Sequence, residues 1–168
     1  MEAVASELAA AGELAWIMPA GASDRLGVMA FDNALVELSQ QIEGPATIWH
    51  ASSSAGTTAG LALGVARHQL DMRVIGSSVG ESKVELTEAV HALLVESGAS
   101  DAPFEVVDDY VGLGYGKTTD EELLVQMEAT RLTGLIWDPT YTGKALVGLK
   151  QEIESGRFEP SDQVVFWH

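Results

Sequence analysis

Thr47-Ile-Trp-His-Ala-Ser-Ser-Ser-Ala-Gly-Thr-Thr-Ala-Gly60 is the stretch whose reading decides the fold class. Ala46–His50 reads as a strand, Ser52–Gly56 as a loop of small residues, and Thr57–Leu70 as a helix. A strand that feeds a helix through a short loop opens a βαβ unit. The same alternation continues downstream. Arg73–Ser77 reads as a strand, Ser82–Ser97 as a helix stopped by Gly98, and Phe104–Val107 as a strand. Asp108–Thr118 is a glycine-rich loop, and Thr119 with Glu122 three residues on forms a capping-box pattern for a helix running to about Leu132. A helix from Thr142 to Ser155 and a strand Gln163–Trp167 finish the chain. Upstream, Glu2–Ala11 reads as a helix, Leu14–Met18 as a short strand, Pro19–Gly27 as a loop and Val28–Ile42 as an amphipathic helix. Strands alternating with helices of this length predict an α/β fold: a mostly parallel sheet flanked by helices on both faces.

The 168 residues fit a single α/β unit spanning 1–168. Hydrophobic residues make up 46% and charged residues 20%, which excludes a disordered chain. No apolar run reaches membrane-spanning length, and the acidic N-terminus lacks the basic start of a targeting peptide. There is no cysteine, so disulfides, thiolate metal sites and cysteine nucleophiles are excluded. The expectation is a soluble, cytoplasmic protein. Nine Lys and Arg against 25 Asp and Glu leave a net charge of −16. Such a chain offers no basic face to nucleic acid. The acids are dispersed and the four histidines lack ligand spacing, so no metal site is expected.

Three segments carry residues suited to chemistry. The first is the Ser52–Gly60 loop and helix start. Free amides at a helix N-terminus and the positive end of its dipole favour an anion, with hydroxyls from Ser54 and Thr57 in reach. Neither the GK[ST] of a P-loop nor GxGxxG is present, so a small cofactor phosphate fits better than a triphosphate. The same residues serve equally as a plain helix start whose small side chains let helix pack on sheet. The second segment, Gly112-Leu-Gly-Tyr-Gly116, presents Tyr115 among three glycines or is an ordinary surface loop. The third, Asp138-Pro-Thr-Tyr-Thr-Gly-Lys144, opens a helix that Asp138 or Thr140 can cap. It sets Tyr141 where the dipole is expected to lower a phenol's pKa for proton transfer.

Together with Pro19-Ala-Gly-Ala-Ser23 and Leu26-Gly27, these segments resemble the C-terminal portion of the D-cysteine desulfhydrase and 1-aminocyclopropane-1-carboxylate (ACC) deaminase family. That family depends on pyridoxal 5′-phosphate and has a tryptophan-synthase-β-like fold (fold type II). The resemblance runs over nearly the whole chain, with every segment in order. It implies that Ser54, Ala55, Gly56, Thr57 and Thr58 bind the cofactor phosphate. It also implies that Tyr115 flanks the ring and substrate, that Tyr141 is the second catalytic tyrosine, and that Thr142 meets the pyridine nitrogen. The deaminase pattern has glutamate at position 142. Thr142 can only hydrogen-bond that nitrogen, which weakens the electron sink and favours prompt β-elimination. The implied reaction takes D-cysteine to pyruvate, sulfide and ammonia, with ACC deamination or a non-catalytic phosphate-binding remnant as alternatives.

The resemblance also has gaps. The family's cofactor-attaching lysine belongs to an N-terminal segment without a counterpart here, and Lys83, Lys117, Lys144 and Lys150 lie in other contexts. The last strand ends at His168 without the loop that usually follows. The expectation is therefore an incomplete fold, inactive alone, whose partners are a small amino-acid substrate and either a second copy or a separate N-terminal half.

Overall fold

The computed structural model describes all 168 residues. Four strands, β1 (Ala46–Ser52), β2 (Met72–Ser78), β3 (Glu105–Val107) and β4 (Val164–Trp167), form one sheet in the order β3-β2-β1-β4. Every pairing is parallel. Six α-helices accompany them: α1 (Glu2–Ala10), α2 (Arg25–Ser39), α3 (Gly56–His68), α4 (Lys83–Glu96), α5 (Asp120–Thr133) and α6 (Thr142–Glu154). The α/β expectation holds.

The strands carry consecutive apolar residues because helices cover both faces, and successive side chains point to opposite sides. Ile48 and Val74 pack with Leu35, Leu61 and Val65 of α2 and α3, and Val106 joins Leu86, Val90 and Leu94 of α4. Their neighbours Trp49, Ile75 and Val107 face the other way and meet Ala145 and Leu149 of α6. The Trp49 indole donates to the Ala145 carbonyl at 2.7 Å, tying the central strand to α6. No helix is long and apolar enough to cross a membrane.

Local signals account for most boundaries. Asp24 caps α2 by accepting from the Leu26 and Gly27 amides, each at 2.9 Å. Capping boxes start α4 (Ser82 with Glu85) and α5 (Thr119 with Glu122). The strand expected at Leu14–Met18 does not form. Those residues join no ladder, and Leu14, Trp16, Ile17 and Met18 are exposed, so the apolar run gains neither backbone pairing nor burial. Within the expected loop Pro19–Gly27, a short 3-10 turn forms at Ala20–Ala22, and α2 starts earlier than expected, at Arg25.

Candidate functional site

In open α/β sheets, ligands bind beyond the carboxyl ends of strands where the strand order reverses. Here β1 has β2 on one side and β4 on the other, and beyond its carboxyl end the chain turns into α3. Ala55 makes the turn in a left-handed conformation (φ 69°), which is unusual for a residue with a side chain. No side chain caps α3, and the Gly56, Thr57 and Thr58 amides have no acceptor. Ser23 donates to Ser54 Oγ at 2.8 Å, so the Ser54 hydroxyl keeps its own proton free. A side chain at Gly56 would run into Ser23, and one at Gly21 into Ser54. The 19–23 turn is therefore pressed onto the helix mouth.

A buried polar chain supports this mouth from below. The His50 Nδ1–H donates to the Ala51 carbonyl at 2.8 Å, which leaves Nε2 to accept the Thr58 hydroxyl at 3.3 Å. Ser52 then donates to Thr58 Oγ1 at 2.7 Å. Burial pushes the His50 imidazole down from 6.5 to about 4, although its bond to Ala51 works the other way. The ring is neutral at ordinary pH.

The second wall carries two tyrosines. The loop after β3 reaches Tyr115 through Gly112, Gly114 and Gly116, all at positive φ, where a side chain would be strained. Tyr115 and Tyr141 are hydrogen-bonded through their hydroxyls, with ring centroids 5.8 Å apart and planes at 77°. The expected lowering of the Tyr141 phenol by the α6 dipole is corrected by this geometry. Its hydrogen bond to Tyr115 raises its pKa, helped by slight burial and by the negative charges of Asp138 and Glu81. The helix end is already answered by Asp138, which accepts from the Thr140, Tyr141 and Thr142 amides at 2.7–2.9 Å and from the Thr142 hydroxyl at 2.8 Å. Burial alone would raise the Asp138 carboxyl, but those four bonds outweigh it and hold the group below its ordinary range.

One cavity of about 520 Å³ collects these features. Ser54, Ala55 and Thr57 line one side, and Tyr115 and Tyr141 the other. Three other residues named from the sequence lie off its wall. Gly56 is buried at the first position of α3, and the Thr58 side chain is committed to Ser52 and His50. Thr142 spends its hydroxyl proton on Asp138 and accepts from the Asp138 amide at 3.2 Å. Sequence reasoning missed Glu81 as a site residue. It lines the cavity and accepts from the Ser53 hydroxyl at 2.8 Å. Its position three residues beyond β2, at the carboxyl end of a parallel strand, was the available signal.

Residues 1–168 match the pyridoxal-phosphate dependent enzyme family. The chain belongs to that family. A solved structure described as an ACC deaminase homologue is similar to it, with 30% sequence identity and a TM-score of 0.90 over 98% of this chain. The chain spans about half of that structure's length (52%). Members depend on pyridoxal phosphate, and three unpaired amides, a dipole end and an uncommitted Ser54 proton suit a phosphate dianion. The mouth thus offers a donor set that fits the charged end of the family's cofactor.

Proposed function

We propose that these residues form the phosphate and ring side of an enzyme that removes a β-substituent from a small amino acid. The preferred reaction takes D-cysteine and water to pyruvate, sulfide and ammonia. The observation that carries this reading is the single cavity in which the α3 mouth faces two hydrogen-bonded phenols. Ser54, Ala55, Gly56, Thr57 and Thr58 would hold the phosphate through their amides and the free hydroxyls. Pyridoxal phosphate, when bound, supplies an electron sink for charge developing at the amino acid's α-carbon.

The chain's own groups do the rest. Tyr141 keeps its proton at neutral pH, held on the phenol oxygen by Tyr115 and by nearby negative charge. A neutral phenol is suited to giving a proton to a departing thiolate and poorly suited to serve first as a base. Thr142, whose hydroxyl proton goes to Asp138, puts no carboxylate where one would hold a pyridine nitrogen protonated, which favours loss of a good leaving group over a long-lived carbanion. ACC deamination is the second reading, favoured by the similarity to the ACC deaminase homologue.

The amine that would attach the cofactor comes from outside these 168 residues in this reading. Lys83, Lys117, Lys144 and Lys150 are the four lysines, and none lines the cavity. Co-expression with a lysine-bearing N-terminal half of a relative tests the proposal. D-cysteine should then give pyruvate and sulfide in equal amounts, and Tyr141→Phe should slow turnover by about 10²–10⁴-fold, the usual range for a lost acid–base group. Full activity in Tyr141→Phe removes its role. Turnover of the cyclopropane amino acid without sulfide release from D-cysteine would favour the second reading.

A further inference from the structure

Glu81 is the one formally charged side chain on the cavity wall. The turn that carries it is pinned by Ser78, whose hydroxyl donates to the Glu81 carbonyl at 2.6 Å and accepts from the Gly80 amide at 3.3 Å. The carboxylate itself receives one bond, from Ser53 to Oε1 at 2.8 Å. Oε2 is shielded from water and receives none. An ionised carboxylate has room for about four hydrogen bonds, and a shielded oxygen left unpaired is costly. The last torsion of a glutamate is soft, so either oxygen can turn toward a donor arriving in the cavity. No Lys, Arg or His lines the cavity to supply that donor.

The charge pattern narrows what the donor is. The α3 mouth favours an anion, whereas Glu81, tied to Ser53 beside the mouth, repels one. A purely anionic ligand gains at the mouth and loses to the carboxylate beside it. A ligand with a phosphate at one end and an amine at the other gains at both. We propose that Glu81 is a specificity-determining residue that receives a cationic nitrogen of the ligand, so the cavity prefers amine-bearing phosphates and zwitterionic amino acids to anions of the same size. The inference rests on the cofactor reading above, in which a phosphate occupies the mouth.

Isothermal titration calorimetry on the full 168-residue chain tests it. Pyridoxamine 5′-phosphate and pyridoxine 5′-phosphate differ in an amine against a hydroxyl, and inorganic phosphate probes the mouth alone. The wild-type chain should bind the amine about tenfold more tightly than the alcohol, as a charge-assisted hydrogen bond implies. Glu81→Gln, which keeps an acceptor for Ser53, should bring the two affinities within about twofold of each other. Glu81→Asp keeps the charge and should keep a preference for the amine. Equal affinities in the wild type, or a preference untouched by Glu81→Gln, overturns the role of Glu81 while leaving the cofactor reading in place. Loss of the preference in the Asp and Gln variants alike assigns it to packing and overturns it too. Failure of all three probes to bind the wild type removes the cofactor reading and this inference with it.

Discussion

His50 is fully buried, neutral and bonded on both ring nitrogens, and it supports the mouth through Thr58 and Ser52. Its folded-state pKa of about 4 lies below its ordinary 6.5, so the unfolded chain takes up the proton first as pH falls. Stability is therefore intact above about pH 6.5 and drains away toward pH 4, by up to about 3 kcal/mol at about 1.4 kcal/mol per pH unit. Urea midpoints across this interval should fall in the wild type and fall less steeply in His50→Gln. Parallel pH profiles for the two would show that another group titrates. Asp138 acts in a separate window. Its carboxyl is held below the usual 3.8, so the stability it contributes is present above that value and is lost in stronger acid.

Among the elements, α6 organises both tyrosines. Tyr141 sits at its start, and Lys144, one residue within its first turn, is fully buried and donates to the Val111 carbonyl at 2.6 Å. Glu122 of α5 lies 3.9 Å from the same ammonium while also taking the Thr118 hydroxyl and the Thr119 amide. Gly112 fits between them, since a side chain there would strike the Glu122 carboxylate. The lysine thereby fixes the root of the loop that carries Tyr115. Lys144→Met should cost about 3 kcal/mol, the scale of leaving one member of a buried pair uncompensated. It should also raise amide exchange across 109–117 more than across β1. Unchanged protection in that loop would mean that Tyr115 is held by something else. Adding Glu122→Gln should recover part of the loss, because the orphaned charge goes with it.

At the level of the whole molecule, the cavity has an anion mouth, two phenols and a carboxylate but no lysine on its wall. Equimolar pyridoxal phosphate followed by borohydride should therefore leave the intact mass of the isolated chain unchanged. Stoichiometric labelling of Lys83, Lys117, Lys144 or Lys150 would contradict this placement.

The sequence by itself determined the alternation of strand and helix, the capped starts of α4 and α5, and the two-sided burial of the sheet. Each follows from side-chain period or from bonds spanning three residues. It also marked the Ser52–Gly60 turn, because small residues between a strand and a helix are a local signal. Tertiary structure alone decided that Tyr115 and Tyr141 share a hydrogen bond and that Glu81 joins them at one cavity. These residues lie 26 and 34 positions apart: Glu81 and Tyr115 follow the adjacent strands β2 and β3, while Tyr141 comes from the start of α6, which packs on the same sheet. It decided as well that the Tyr141 phenol is raised, not lowered. The helix-end rule considers the dipole, whereas the folded chain had already placed Asp138 over those amides and Tyr115 against the phenol oxygen.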